Sequence, residues 1–432
     1  MLPTGSAGFL ETAFVGWVKA IQQSDFHRAY SIELNFYTAH VRPTESAVLW
    51  DAWQDRTLSL RRTLTDLVRQ HFPIRSPSQS APGVCALVYP NFSGLAHETQ
   101  LARSTKFLRR SGIPLDLHVV YGFGASKPEL TLRAAELHGV SPSHVHFLEA
   151  ADLHDMGERL SSLDQAFRFS TIVYPSIFHF AFWATMVLHH PNQKFVRMKH
   201  YPRQAGRFTA FATGRIDDEV DVCVNGERWL QLSVLELRPS SLAVAKRDGI
   251  QSPDTRTFGS ISRIEKTTDP TYQSFVLDLL EQFGDLSYLY TGNPGARGLL
   301  DPRITRHPRA EFLGWVVPED AITRYSVYLE IFPWGGGDMS LLAAESGVPY
   351  LILDTPENRR VGIYALMRYI ATQSGHSVLD KSFCPDLESL RTIFAELHTD
   401  RDLCRHMGCA WAEAVSTYRP HDIDAWSRFF TN

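Results

Sequence analysis

The chain has 432 residues, of which 44% are hydrophobic and 21% charged, with a formal net charge of −4. This length predicts two or three domains, and the composition is that of an ordinary soluble globular protein. The small negative charge gives no electrostatic reason to expect DNA, RNA or an anionic membrane as the main partner.

The N-terminal residues 1–80 form a predicted helical segment. The stretches LETAFVGWVKAIQ and LWDAWQDRTLSLRRTLTDLVRQHF carry apolar residues at three- and four-residue spacing, with charges between them. No basic region followed by a long apolar region begins the chain, so no signal peptide is expected. The Ser/Pro-rich segment 74–83 is typical of a linker.

Residues 84–250 are predicted to form a Rossmann-like domain with a connector. Short apolar runs alternate with amphipathic helices, as in VCALVYP followed by HETQLARSTKFLRRSG. Such alternation indicates a parallel sheet covered on both faces. The segment VDVCVNGERWLQLSV predicts a hairpin that turns at Asn225-Gly226. We expect this domain to bind the acceptor of the reaction considered below.

The most apolar window, STIVYPSIFHFAFWATMVLHH, is about long enough to span a bilayer. It contains Pro175 and His179, and it fits a buried strand followed by a buried helix. We therefore predict that the chain has no integral membrane segment.

Residues 251–432 contain a second series of alternating strands and helices of similar size. The sequence thus predicts an α/β protein with two doubly wound, Rossmann-like domains facing each other across a cleft. The final helices are expected to pack back over the pair. Five widely spaced cysteines without a CxxC motif indicate reduced thiols in a cytoplasmic protein. These are Cys85, Cys223, Cys384, Cys404 and Cys409.

Three consecutive glycines, residues 335–337, follow the apolar run VYLEIFP and precede a predicted helix. Backbone N–H groups of a first helical turn lack intrahelical partners, and glycine lets a phosphate approach them without a Cβ in the way. Asp338 is an acceptable N-cap residue, and Ser340 could donate to a phosphate or a ribose. The alternative is a tight turn that needs glycine for its dihedral angles alone. We favour a phosphate or nucleotide site.

Lys266 closes the turn GSISRIEK, where the first strand of the second series should open into the cleft. A lysine there can neutralise a diphosphate and stabilise a leaving nucleotide as charge develops. Arg263 is an alternative for the same role, and a solvated surface lysine is the simpler interpretation.

Five motifs of the second half resemble the nucleotide-binding half of GT-B glycosyltransferases. They are FGSISRIEK, LYTG, FLGWV, FPWGGGDMSLLAAESGVPYLIL and ENRRVGIYALMRYI, within about residues 257–375. The chain is most similar to the inverting family that includes O-linked N-acetylglucosamine transferases and bacterial protein N-glucosyltransferases. The first half matches that family only in architecture.

The resemblance implies roles for particular residues in binding a UDP-sugar. Lys266 would contact the diphosphate, the strand-end segment 314–316 would flank the base, and two residues would lie near the ribose or sugar. Asp338, Met339 and Ser340 replace the family's usual Thr-rich helix start. The implied substrate-binding residues are Lys266, Arg263, Gly314, Trp315, Val316, Pro333, Gly336, Gly337, Asp338, Met339, Ser340, Glu357 and Arg360.

An inverting transfer is favoured because retaining GT-B enzymes usually carry a Glu-x7-Glu pair in this region. Glu345 has Gly337 eight residues before it instead of a glutamate. Inversion requires an activated acceptor. The predicted catalytic residues are His97 and Glu98 in the loop YPNFSGLAHETQ, with His200 in RMKHYPR as a second candidate. His97 and Glu98 could also simply begin a helix. Without a clustered Asp-x-Asp motif we expect no bound metal and no cofactor.

The sequence therefore predicts a cytoplasmic, metal-independent enzyme that transfers glucose or N-acetylglucosamine from a UDP-sugar to a protein or glycan. A sugar-nucleotide epimerase is the alternative enzyme. A catalytically silent GT-B-like subunit or chaperone that binds a partner protein is the alternative outside enzymes.

Overall fold

A computed structural model gives the architecture of the chain. It describes residues 6–37, 52–57, 60–61, 64, 67–68, 80–93, 96–175, 178–197, 210–213, 221–224, 227–231, 256–332, 335, 338–355, 358, 362–418 and 423–431. The chain divides into two compact units. The first unit comprises residues 1–236 and 420–432, and the second unit comprises residues 237–419.

The first unit contains an eight-stranded sheet with the order β3-β2-β1-β4-β5-β6-β8-β7. All neighbouring strands are parallel except β7 and β8, which form an antiparallel hairpin. The strands are β1 Val84–Tyr89, β2 Asp116–Tyr121, β3 Val145–Phe147, β4 Thr171–Pro175, β5 Gln193–Arg197, β6 Ala210–Thr213, β7 Asp221–Val224 and β8 Glu227–Gln231.

Helices cover both faces of this sheet. Alternate residues of a strand point to opposite faces, so Ala86 and Val88 of β1 enter one core while Cys85 and Leu87 enter the other. The described residues of the unit include the helices α1 Ser6–Gln22, α2 Phe26–Phe36, α3 Ala96–Arg110, α4 Pro128–His138, α5 Leu153–Phe167, α6 Phe178–Val187 and, near the C-terminus, α14 Ile423–Thr431.

The N-terminal helices belong to the first core. Residues of α1 and α2 pack in the same cluster as residues of α5 and α6. Glu33 of α2, which is fully buried, accepts hydrogen bonds from Arg61, from Trp53 Nε1 at 3.4 Å and from Trp183 Nε1 at 3.1 Å. A buried charge without such partners would be costly. This carboxylate therefore ties α2 and the helical residues 52–68 that are described to α6.

The C-terminal helix α14 packs on the opposite face, in the core that contains Cys85 and Leu87. The ammonium group of Lys194, in β5, donates to the backbone carbonyl of Phe429 and lies 5.2 Å from the centroid of its ring. Burial lowers the pKa of Lys194 to about 8. This contact holds the last turn of α14 against the first sheet.

The second unit contains a six-stranded sheet, in which every described pairing is parallel, with the order β11-β10-β9-β12-β13-β14. The strands are β9 Thr257–Ser260, β10 Ser287–Tyr290, β11 Ala310–Phe312, β12 Val327–Leu329, β13 Tyr350–Leu353 and β14 Phe383–Cys384. The helices are α7 Pro270–Gln282, α8 Pro302–Thr305, α9 Pro318–Ala321, α10 Asp338–Glu345, α11 Gly362–Ser374, α12 Leu387–Thr399 and α13 Arg401–Thr417.

Helix α13 lies unusually close to the chain that follows α10. A Cβ placed on Gly408, in the middle of α13, would lie 2.1 Å from the carbonyl oxygen of Gly347. A side chain at residue 408 would therefore push α13 away from the turn that ends α10. This close approach fixes the position of the C-terminal end of α10, whose N-terminal end follows the three glycines.

The structure confirms the predicted α/β class with two doubly wound parallel sheets and a helical N-terminal segment. The hairpin of β7 and β8 has the predicted register around residues 225–226, with Val224 opposite Glu227. The apolar window forms β4 and α6, and no described helix is long and apolar enough to cross a membrane.

The division into units differs from the predicted domains at two places. The described residues between 10 and 68 share a core with the first sheet, and residues 420–432 join the first unit although the sequence groups them with the second domain. The reason is that α14 has its apolar face against β-strand residues of the first sheet, which is a long-range contact.

Candidate functional site

The candidate site lies at the carboxyl-terminal edge of the second sheet. In this sheet β9 is hydrogen-bonded to both β10 and β12, so the strand order reverses between β9 and β12. Parallel α/β sheets bind ligands outside the carboxyl ends of the strands at such a switch point. The loop after β9 carries Lys266, and the loop after β12 carries the three glycines. Both segments therefore leave the sheet at its switch point.

The loops after β9, β10 and β11 are hydrogen-bonded to one another. Thr291 Oγ1 accepts from the N–H of Ser262 at 2.8 Å and donates to the carbonyl of the same residue at 2.8 Å. The N–H of Gly292 donates to the carbonyl of Gly314 at 2.9 Å. Three of the five motifs, FGSISRIEK, LYTG and FLGWV, thus form one connected edge.

Two glycines allow these loops to approach. Gly259, inside β9, has φ +143°, and a Cβ there would lie 2.0 Å from the carbonyl oxygen of Leu289. Gly292 has φ +129°, and a Cβ there would lie 2.8 Å from the backbone nitrogen of Ile264. Residues other than glycine rarely adopt such φ values. These motif glycines are therefore required by the backbone itself.

A buried carboxylate lies against Gly335, the first residue of the glycine turn (residues 335–337). Glu330, the residue after β12, is fully buried. Its Oε1 accepts from the N–H of Ile331 at 3.2 Å, and its Oε2 accepts from the hydroxyl of Ser340 in α10. A Cβ on Gly335 would lie 3.2 Å from Glu330 Cγ, so the first glycine packs directly on this side chain. Glu330 therefore joins the end of β12 to the first turn of α10.

Asn358 also binds the backbone of Gly335 through its side chain. Its Oδ1 accepts from the N–H of Gly335 at 3.2 Å, and its Nδ2 donates to the carbonyl of Leu353 at 2.8 Å. Asn358 is itself fully buried. It thus connects the glycine turn to the end of β13.

Ser340, which the sequence predicts to donate to a phosphate or a ribose, is fully buried, and its hydroxyl donates to Glu330. This contact stabilises the start of α10, and the role of Ser340 at a phosphate stays a prediction. Sequence reasoning missed both Glu330 and Asn358. The signal for Glu330 was a charged residue in the middle of the apolar run VYLEIFP, whereas Asn358 carried no comparable signal.

The remaining predicted residues of the second unit differ in burial, and some lie outside the described residues. Lys266 ends the short 3-10 helix Ile264–Lys266, and Lys266 and Arg263 are partly buried. Trp315 follows β11 and is 68% exposed, between Gly314 and the partly buried Val316. Met339 is partly buried in the first turn of α10, where the backbone of Asp338 also lies. Outside the described residues lie Pro333, Gly336, Gly337, Glu357 and Arg360.

In the first unit, Glu98 is the centre of a buried network at the carboxyl ends of β1 and β2. It accepts from the N–H of Ser93 at 3.0 Å, from the Ser93 hydroxyl at 2.8 Å and from the Tyr121 hydroxyl at 2.7 Å. His138 Nε2 lies 3.4 Å from its Oε1. Burial opposes ionisation of Glu98, but the hydrogen bonds from His138, Tyr121 and Ser93 outweigh it and lower the pKa of Glu98.

The catalytic role of Glu98 stays a prediction, and the network shows what surrounds its carboxylate. The side chain is only 2% exposed, and its carboxylate is occupied by several donors, so it is a poor acceptor for a substrate proton. Its role is to hold the loop after β1 against β2. His97 precedes it in the first turn of α3, and the structure describes the backbone of His97 but not its side chain. His200 lies outside the described residues.

Comparison with solved structures identifies the architecture. A mutant form of the Thermobaculum terrenum O-GlcNAc transferase aligns with a TM-score of 0.60 at 16% identity, over 99% of this chain and 84% of that one. The HepE protein of Anabaena, in complex with UDP and glucose, aligns with a TM-score of 0.52 at 12% identity, over 79% of this chain and 97% of that one. No protein-family profile and no curated protein matches the sequence.

The chain has the GT-B fold of glycosyltransferases. Within this GT-B chain, each unit contributes one switch point, between β1 and β4 in the first sheet and between β9 and β12 in the second. The loops after β9 and β12, which carry two of the motifs, leave the second sheet at the second of these. The Glu98 network lies beside the first.

Replacing Gly259 with alanine is expected to destabilise the second unit of this GT-B chain by about 2–4 kcal/mol, because the new Cβ would collide with the carbonyl of Leu289 at an unfavourable φ. Urea denaturation followed by fluorescence measures the change. Gly284→Ala is the matched control, since no atom lies within 4 Å of its Cβ position, and its effect should stay within about 1 kcal/mol. Equal stability of the two variants would contradict this interpretation of β9.

Proposed function

We propose that the protein is a glycosyltransferase that moves glucose or N-acetylglucosamine from a UDP-sugar to a protein or glycan acceptor, with inversion at the anomeric carbon. The observation that supports this most is that four motif loops follow neighbouring parallel strands at the carboxyl-terminal edge of the second sheet. Three of them are hydrogen-bonded together, and the fourth rests on Glu330 and Asn358. Buried hydrogen bonds of this kind hold binding loops in fixed positions, which suits a ligand site.

The proposed donor site uses the N–H groups of the first turn of α10 and the ammonium group of Lys266. A helix N-terminus and a lysine together balance the negative charge of a diphosphate, and they stabilise it further as the sugar bond breaks. The exposed Trp315 and its neighbours at the end of β11 would flank the base. The UDP and glucose bound to the Anabaena HepE protein support this class of donor.

The sugar transfer requires that the acceptor lose a proton as it attacks the anomeric carbon, while UDP leaves on the opposite face. We propose His97 as the group that accepts this proton. Glu98, the next residue, anchors the first turn of α3 to Ser93 and Tyr121, which gives the backbone of His97 a fixed position. We also propose that the reaction proceeds without a metal ion, because Lys266 and α10 supply the positive charge that a metal would otherwise provide.

Lys266→Ala is expected to weaken UDP binding at least about tenfold, because a charge-assisted contact to the diphosphate is lost. Isothermal titration calorimetry measures the affinity. Lys381→Ala removes a lysine of the same unit that pairs with Glu396 on the surface, and it should leave UDP binding unchanged. An unaltered UDP affinity in Lys266→Ala would exclude Lys266 from the donor site.

His97→Ala is expected to reduce kcat by about 100-fold or more while the affinity for UDP stays the same, since general base catalysis contributes about 10²–10⁴-fold. Steady-state kinetics with the same donor and acceptor measure the change. His154→Ala is the control, because that histidine lies on the surface of the same unit beside Glu158. A kcat that survives in His97→Ala would require another base, with His200 as the next candidate.

UDP-sugar turnover separates the proposed function from its rivals. We expect the purified protein to release UDP from UDP-glucose or UDP-N-acetylglucosamine, slowly with water and faster with an acceptor, as followed by chromatography of the nucleotides. An epimerase would convert the UDP-sugar into its isomer. A catalytically silent subunit would leave the UDP-sugar intact. Either of the last two results would overturn the assignment as a transferase.

A further inference from the structure

Three histidines and an aspartate meet at the opposite edge of the first sheet, away from the switch point. Asp116 begins β2, and His118 follows two residues later on the same face of that strand. His144 ends the short 3-10 helix Pro142–His144 that leads into β3, where His146 lies. The group thus links the amino-terminal ends of two neighbouring parallel strands, whereas the candidate functional loops leave from carboxyl-terminal ends.

Three side chains of this group present ligand atoms to one point. His118 Nε2 lies 3.9 Å from Asp116 Oδ1, and His144 Nδ1 lies 3.5 Å from the same oxygen. One ligand atom from each of Asp116, His118 and His144 lies within 4.8 Å of the others. Ligand atoms around a tetrahedral ion with bonds of about 2.0–2.2 Å lie roughly 3.4 Å apart, so only a small contraction is needed.

The fourth side chain, His146, orients the buried ligand. His118 Nδ1 lies 2.9 Å from His146 Nε2, and His118 is only 1% exposed. Histidines that bind metals usually donate their second ring N–H to a neighbouring acceptor, which leaves the other nitrogen unprotonated for the ion. A proton on His118 Nδ1, donated to His146, leaves an unprotonated Nε2 facing the carboxylate of Asp116. Two electron-rich atoms in that arrangement favour a cation between them.

Aromatic side chains enclose the buried imidazole of the group. The ring of His118 packs against Phe167 and Phe169, with centroid distances of 4.2 and 5.5 Å. Asp116 supplies the carboxylate of the group and is about half exposed. The candidate ligands therefore include one shielded imidazole and one carboxylate that an ion can reach from solvent.

We propose that Asp116, His118 and His144 bind a divalent transition-metal ion such as Zn²⁺, with His146 positioning His118 through its second ring nitrogen. Imidazole nitrogens with one carboxylate are a typical ligand set for Zn²⁺, and water completes the coordination. The ring of His144 stacks on that of His118 at 4.4 Å and must turn toward the ion; its side chain is 36% exposed, which leaves room for this rotation.

The ion would stabilise the fold and take no part in chemistry. It would join the start of β2 to the helix that precedes β3, an edge strand of the first sheet. Binding to the folded state alone raises its stability. The site is independent of the proposed transferase activity, so the failure of one proposal would leave the other standing.

The test is Zn²⁺ binding to the full-length protein after removal of metals with a chelator. We expect isothermal titration calorimetry to give one bound Zn²⁺ per chain, with a higher thermal unfolding midpoint in the presence of Zn²⁺. Co²⁺ should give visible absorption bands of a four-coordinate site. His144→Ala and Asp116→Asn change partly exposed side chains and should fold, and each should weaken Zn²⁺ binding at least about tenfold.

His154→Ala provides the control, since it removes a surface histidine beside Glu158 in the same unit without touching the group. Its Zn²⁺ affinity should equal that of the unmodified chain. The proposal is overturned if the unmodified chain binds no stoichiometric Zn²⁺, if His144→Ala and Asp116→Asn bind as tightly as it does, or if His154→Ala loses the same affinity.

Discussion

The order of strands in each sheet is the constraint on which the rest of the structure depends. In both sheets the first strand of the series lies between the second and the fourth, with β1 beside β4 and β9 beside β12. Two chain segments far apart in sequence therefore leave adjacent strands at one edge. In the second unit these segments carry Lys266 and the glycine turn. Parallel pairing with connections on both faces thus creates a place for a ligand before any side chain is considered.

A buried carboxylate reinforces the edge in each unit. Glu98 holds the loop after β1 through Ser93 and Tyr121, and Glu330 holds the start of α10 through Ser340. Both lie where a strand gives way to a helix, and both have their oxygens occupied by nearby donors. A buried charge is tolerated only with such partners, so each carboxylate defines the positions of the groups around it. The rigid parts of the two edges are therefore polar, in contrast to the apolar cores beneath them.

Much of the fold could be predicted from the sequence because its signals are local. The alternation of apolar runs with amphipathic helices indicated both parallel sheets, and Asn225-Gly226 indicated the hairpin of β7 and β8. The glycine turn was recognised because three glycines before a helix are unusual. The bond between Ser340 and Glu330 could not be predicted, because the two residues are ten positions apart and become neighbours only in the folded chain. The partners of Glu98 could not be predicted for the same reason, since Tyr121 and His138 lie on other elements.

The sequence by itself determined the fold class of the protein, the two series of strands and helices, and the segments that carry the five motifs. These properties follow from periodicity and from backbone preferences, which neighbouring residues set. Only the tertiary structure decided which polar side chains form buried hydrogen bonds within the protein. It also decided that α14 belongs to the first unit and that Asp116, His118 and His144 lie close together. Those outcomes depend on strand order and on contacts between distant residues, and burial decides whether a given carboxylate or imidazole is a support, a ligand or a base.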